Sequence, residues 1–134
     1  MNKVIHFEIP SNNKEKSKAF YGEVFGWQIK DIPVKMDGSI SSYTTTMTVA
    51  IDPTTMIPIE PGAINGAIRE RKNEIKSPII SIEVDSINDY LDKIKTYGCR
   101  IIEGKQRIEN MGYYAYITDI DDNIIGLWEN ISRS

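Results

Sequence analysis

Apolar and polar positions follow the same plan in two stretches of this chain. Residues 6–29 read HFEIPSNNKEKSKAFYGEVFGWQI, and residues 79–102 read IISIEVDSINDYLDKIKTYGCRII. Each opens with period-two alternation, Phe7 and Ile9 against His6 and Glu8, then Ile80, Ile82 and Val84 against Ser81 and Glu83. That is the spacing of a strand with one buried face. A helix-start signal follows in each, Asn12 with Glu15 and Ser86 with Asp89, both resembling a capping box. Each predicted helix stops at a glycine, Gly26 or Gly98, where a left-handed closing residue costs little.

Strand text returns after each glycine, at 27–29 and 101–102. The strands register at an offset of 73 residues and the glycines at 72, so one deletion in the second helix accounts for the difference. Further strands are predicted at 43–51 and 63–69, separated by a loop carrying Pro53, Pro58 and Pro61, and at 113–119 and 124–129. The text between the last two, Asp119 to Asn123, reads as a hairpin turn. It lacks the glycine and the terminal glutamate of a calcium loop.

Each half is therefore β-α-β-β-β. The expected fold is α+β, a single domain over 1–134 made of two βαβββ modules at approximately 1–72 and 76–134. One helix covers only one face of a four-stranded sheet, and the other face must find a partner or line a cavity. Two such modules predict curved mixed sheets around a shared cavity.

Composition narrows the function. The net charge is −3, and no basic face of the kind a phosphate backbone needs is present, so nucleic acid is not expected as a partner. The run Arg69-Glu70-Arg71-Lys72 reads as a polar connector. No apolar run approaches the roughly 20 residues that span a bilayer, and no signal-peptide pattern opens the chain. The expectation is a cytoplasmic protein with no membrane partner. Cys99 is the single cysteine, which excludes an internal disulfide, and it reads as a buried structural thiol. No phosphate-binding glycine loop and no Ser/His/Asp set can be assembled.

The helix text KAFYGEVFGW after an HFEIP strand, together with GYYAYITDIDDNIIGLWEN near the end, resembles the glyoxalase/bleomycin-resistance/extradiol-dioxygenase superfamily, also called vicinal oxygen chelate proteins. The resemblance covers nearly the whole chain. It implies paired βαβββ modules and a homodimer. It also implies, for catalytic members, a divalent metal held by two ligands from each module and acting as a Lewis acid. Carried onto this chain, the ligand positions fall on His6, Ile79, Gly126 and, by analogy with the last strand, Gly66. Only His6 is a competent ligand, so no cofactor is expected. A shifted set of His6, Glu8 and Glu83 is conceivable, but His6 and Glu8 are neighbours along one strand.

What remains suits an organic ligand. Alternation places Tyr114 and Tyr116 on one face, with Tyr113 and Ile117 on the other. Trp128 shares its side with Gly126. Two glycine-vacated slots near these rings would admit a planar or apolar molecule, although strand aromatics also serve as plain core. Glu8, Ser81 and Glu83 are candidate polar groups, and a glutamate in a dry cavity can act as a base. Either glutamate can equally be a rim carboxylate. Trp27 reads as a core or dimer-interface anchor, and Met111-Gly112 as a flexible lip.

The expected function is a small-molecule-binding protein without a catalytic metal, using His6, Glu8, Ser81, Glu83, Tyr114, Tyr116 and Trp128. No catalytic residue is assigned. The alternatives are a metal-dependent enzyme of the glyoxalase type, acting as a lactoylglutathione-lyase-like lyase or as a dioxygenase, and a non-catalytic dimerisation or regulatory module.

Overall fold

The computed structural model describes residues 1–131. It contains β1 (Val4–Ser11), α1 (Lys14–Phe25), β2 (Gln28–Met36), β3 (Ser39–Met47), β4 (Gly66–Glu70), β5 (Ile79–Glu83), α2 (Ile87–Thr96), β6 (Ile101–Ile108), β7 (Gly112–Thr118) and β8 (Ile124–Asn130). Each half is βαβββ, the order expected from the periodicity. Local details differ: the strand expected at 43–51 ends at Met47, and that expected at 63–69 is Gly66–Glu70. The α1 cap is Asn13 rather than Asn12, its side chain accepting from Lys16 N at 3.1 Å. The third strand begins at Ser39 rather than at 43, because Asp37 and Gly38, both at positive φ, turn the chain sharply and make β2 and β3 a hairpin. Ser86 caps α2 as expected, and Gly26 and Gly98 both adopt left-handed φ.

The chain forms two compact units. The N-terminal unit comprises residues 6–33 and 42–78; the C-terminal unit comprises, of the described residues, 1–5, 34–41 and 79–131.

In the N-terminal unit the strand order is β2-β3-β4-β1. β4 runs parallel to β1, pairing Ala67 with Glu8 and Arg69 with Pro10, and antiparallel to β3, pairing Ala67 with Thr45. Because strand side chains alternate, Phe7, Ile9, Ile68, Thr44 and Thr46 share one face. That face carries α1. Trp27 stacks on Tyr21 of the helix at 4.9 Å and meets Phe7 at 5.6 Å, which makes Trp27 an anchor between helix and sheet. Lys18 of α1 bridges Glu15 and Asp31 at 3.0 and 2.9 Å, and the Thr44 hydroxyl donates to Asp31 at 2.6 Å. The Thr44 bond first, then Lys18, holds the Asp31 carboxyl below its ordinary pKa, and Asp31 in turn raises that of Lys18. Helix α1 fully buries none of its residues, and Phe20, Val24 and Phe25 stay exposed.

In the C-terminal unit the order is β5-β8-β7-β6. One sheet face packs against α2 through Val84, Ile87, Ala115, Ile117 and Leu127, extended by Ile82, Tyr90, Leu91, Ile94, Tyr113 and Ile125. Complete burial of Ile87 alone is worth about 1.5–3 kcal/mol. The start of α2 is fixed twice, since Ile87 N donates to the Glu129 carboxylate at 2.8 Å while Ser86 receives Asp89 N. The 119–123 segment is the expected turn. The Asp119 carboxylate accepts from the Asn123 side chain and from the backbone of Asn123 and Asp121, bonds that lower its pKa. Asp122 supplies the positive φ and pairs with Arg100 at 2.8 Å.

Candidate functional site

The strands of each unit turn a second face away from their helix, and the residues picked out by alternation lie on these open faces. In the N-terminal unit, the partner of Glu8 is Ala67 and that of Pro10 is Arg69, so His6, Glu8, Ala67 and Arg69 face one way with Thr45 and Tyr43. The His6 Nε2 and the Tyr43 hydroxyl are 3.0 Å apart, the direction of the bond being set by the imidazole tautomer. Burial pushes the His6 pKa down to about 4, so the ring is neutral at neutral pH. Glu8 is buried and its carboxylate lies 3.6 Å from the Arg69 guanidinium. Charge and countercharge thus share a half-dry face, where unpaired charge would be costly.

In the C-terminal unit, parallel pairing sets Ser81 beside Gly126 and Glu83 beside Trp128; antiparallel pairing sets Trp128 beside Tyr114 and Gly126 beside Tyr116. Ser81, Glu83, Tyr114, Tyr116 and Trp128 therefore stand on one face, opposite α2. The indole Nε1 of Trp128 donates to Asn130 Oδ1 at 2.8 Å, and Asn130 Nδ2 donates to Glu83 at 3.0 Å. One asparagine thereby fixes both the ring and the carboxylate. The Tyr114 hydroxyl donates to Glu103 at 3.4 Å, and the Tyr114 and Tyr116 rings meet edge to face at 5.6 Å. A hollow of about 320 Å³ opens beside Glu83 and Asn130, bounded by Met1, Asn2, Lys3 and Asp85.

Several expectations need correction. The glycine-vacated slots are not vacant. A Cβ on Gly126 would stand 2.6 Å from Ser81 Oγ, and one on Gly66 would collide with the Phe7 backbone and ring. Gly66 also lies on the helix face, paired with Phe7. Ser81 lies 73 residues after Glu8, so the counterpart of the Ser81–Gly126 pair is Glu8–Ala67, and the fourth ligand position falls on Ala67. Gly112 is a buried strand residue against Trp128 rather than a flexible lip. Arg69 is not a connector residue: it belongs to β4 and pairs with Glu8. Cys99 is half-buried rather than buried.

The donor set does not fit a catalytic divalent metal. Ile79, Gly126 and Ala67 offer no side-chain lone pair, His6 is engaged by Tyr43, and Glu8 by Arg69. Among the described residues no group of three or more His, Cys, Asp or Glu is placed to hold an ion, and a catalytic site needs about three protein ligands.

Alternation alone missed Tyr43, Arg69, Glu103 and Asn130. The repeat carried a usable signal for one of them. Tyr43 stands one residue before the Thr44–Ile68 pair, next to Arg69, as Tyr114 stands beside Trp128, so each open face carries a tyrosine at the same place.

The comparisons agree with this architecture. A family model described as Glyoxalase/Bleomycin resistance protein/Dioxygenase superfamily matches residues 3–127. A protein provisionally named glyoxylase CFP32, from Mycobacterium bovis and Mycobacterium tuberculosis, is 27% identical over 124 residues. The match covers 91% of this chain but only 43% of the relative, so the chain spans less than half the length of those proteins. A hypothetical protein, BH1468 from Bacillus halodurans, superposes with a TM-score of 0.63 at 14% identity, covering 99% of this chain and 97% of that one. Streptomyces coelicolor methylmalonyl-CoA epimerase superposes at 0.60 with 12% identity, covering 98% and 99%. At such identities the likeness is one of fold.

Proposed function

Because the chain belongs to the Glyoxalase/Bleomycin resistance protein/Dioxygenase superfamily, we propose that it binds a small planar organic molecule, without a resident metal, against the open face of the C-terminal unit. The observation that carries this reading is the register placing Tyr114, Tyr116 and Trp128 beside Ser81 and Glu83, opposite α2. Aromatic walls with a few placed polar groups are the usual make-up of a small-ligand site. Trp128 offers a ring held in orientation by Asn130, and Glu83, on the same asparagine, accepts from a donor on the ligand. In the N-terminal unit His6 and Glu8 form a second polar set with Tyr43 and Arg69. The neutral imidazole there exchanges hydrogen bonds rather than charge.

The competing reading is a metal-dependent lyase or dioxygenase of the glyoxalase type. The name of the mycobacterial relatives favours it, and the donor set around His6 opposes it. The proposal extends to a cytoplasmic homodimer, for which exposed Phe20, Val24 and Phe25 on α1 offer an apolar surface.

The test is tryptophan fluorescence titration against a library of planar aromatic compounds, repeated on Trp128→Phe and Trp27→Phe. Saturable one-to-one quenching that survives Trp27→Phe and vanishes in Trp128→Phe is the expected result. Silence across the library, in fluorescence and in thermal shift alike, would sink the proposal and favour a non-catalytic module.

A further inference from the structure

Helix α2 is buried most deeply at its start. Ile87 is fully buried, Tyr90 and Ile94 are half-buried, and Tyr97 just past the helix is 74% exposed. Tyr90, Ile94 and Tyr97, with the sheet residues beneath them, line a wedge between α2 and its sheet, a pocket of about 380 Å³. Ile82, Ile94, Ile125 and Leu127 form its apolar wall, on the side of the sheet opposite the Trp128 face. Its size falls in the range of about 300–1,000 Å³ found for small-ligand sites.

The polar atoms in this pocket narrow the occupant. The Thr118 hydroxyl, on a fully buried residue, accepts from Arg100 N. The Tyr90 hydroxyl accepts from Asn2 Nδ2 at 2.7 Å and keeps its own proton, with no acceptor for it among the described residues. Asp119 is the one charged residue in the lining, and its low pKa keeps it anionic. No lysine or arginine lines the space. Exposed Tyr97 and Ile120 stand in the lining as apolar surface that an occupant would cover.

We propose that this wedge is a second binding site, for an uncharged, mainly hydrocarbon molecule bearing one terminal oxygen, a medium-chain alcohol being the simplest example. The hydrocarbon lies along the isoleucine wall and the oxygen accepts the Tyr90 proton. An anionic head of the same length is disfavoured by Asp119, with no basic group to offset the repulsion. The site is independent of the planar-ligand reading. It is read by Cys99, which lines the pocket and is the single thiol of the chain, whereas the planar site is read by Trp128, so either can fail alone.

The experiment follows the rate at which an uncharged maleimide labels Cys99 in the intact protein, with 1-decanol, decanoate or no addition. At a decanol concentration about ten times Kd, only the free fraction reacts and labelling slows roughly tenfold. Decanoate protects far less at the same concentration, and Tyr90→Phe weakens decanol without abolishing protection. Ile125→Trp, which fills the wedge, removes the decanol effect. Should that variant fail to fold, isothermal titration of the unaltered protein with decanol tests the same site through its saturable heat. An unchanged labelling rate up to the solubility limit of decanol, with no saturable heat, overturns the proposal. So does equal protection by decanoate.

Discussion

The Ser81 hydroxyl occupies the space in which a side chain at Gly126 would begin: a Cβ there would lie 2.6 Å from Ser81 Oγ and 3.4 Å from Ser81 Cβ. The two residues are register partners in the parallel β5–β8 pair. Gly126→Ala therefore overpacks the pair, an error that costs about 1–3 kcal/mol. The cost falls at the low end because one torsion of Ser81 relieves it. In the double variant Ser81→Ala/Gly126→Ala the offending oxygen is gone, and most of the loss returns. Urea denaturation of the four proteins forms the cycle, and strictly additive losses would refute the contact. Gly66→Ala has no such relief, because its obstacle includes the Phe7 backbone, and it destabilises more than Gly126→Ala.

The neutral, half-buried His6 makes stability depend on pH in a defined window. Its pKa is about 4 in the fold against 6.5 for the ordinary group. Between these values the unfolded chain binds the proton and the folded chain does not, so protonation favours unfolding. The contribution is complete above pH 6.5 and is lost as pH falls toward 4, amounting to roughly 3 kcal/mol. Asp31 and Asp119, whose pKa values are lowered, act in a separate window below their ordinary 3.8. His6→Phe should flatten the stability curve between pH 6.5 and 4.5. An imidazole NMR titration centred near 6.5 would contradict the burial argument.

The proposal of a ligand site without a resident metal makes a simple prediction of its own. Dialysis against a chelator should leave the melting temperature and the affinity for planar ligands unchanged. Added nickel, zinc or iron(II) should give no stoichiometric heat. Binding of one metal per chain that disappears in His6→Ala would mean that His6 finds partners beyond Tyr43, and would restore the glyoxalase-type reading.

Local signals explain how much could be read in advance. The two βαβββ halves were visible because period-two alternation, helix caps and the glycines Gly26 and Gly98 are properties of short stretches. Asn12 and Asn13 are adjacent residues of equal capping chemistry, so only the backbone decides between them. Pairing between strands is not local. The analogy that put a ligand position on Gly66 instead of Ala67 slipped by one residue, and in a strand one residue changes the face. Tyr43 and Arg69 were missed for the same reason, since their roles follow from what lies across the sheet. Ser81 filling the space at Gly126 is a tertiary contact that composition cannot reveal.

Thr44 and Thr46 are fully buried neighbours on the helix face of β3, and they should respond oppositely to the same substitution. The Thr44 hydroxyl donates to Asp31 at 2.6 Å. The Thr46 hydroxyl is the one buried side-chain polar atom among the described residues without a hydrogen-bond partner. Valine keeps the shape of threonine and removes the hydroxyl. At position 46 this deletes a desolvated group that gains nothing in the fold, so Thr46→Val should stabilise by about 1 kcal/mol. At position 44 it removes the largest influence lowering the Asp31 pKa. Thr44→Val should therefore destabilise, and the Asp31 titration should move up toward its ordinary value. Urea denaturation of both variants at pH 7, with carboxyl NMR titration of Asp31, checks the pair. Failure of Thr46→Val to stabilise would mean that the Thr46 hydroxyl has a partner, and stabilisation by Thr44→Val would mean that the Thr44–Asp31 bond contributes nothing to the fold.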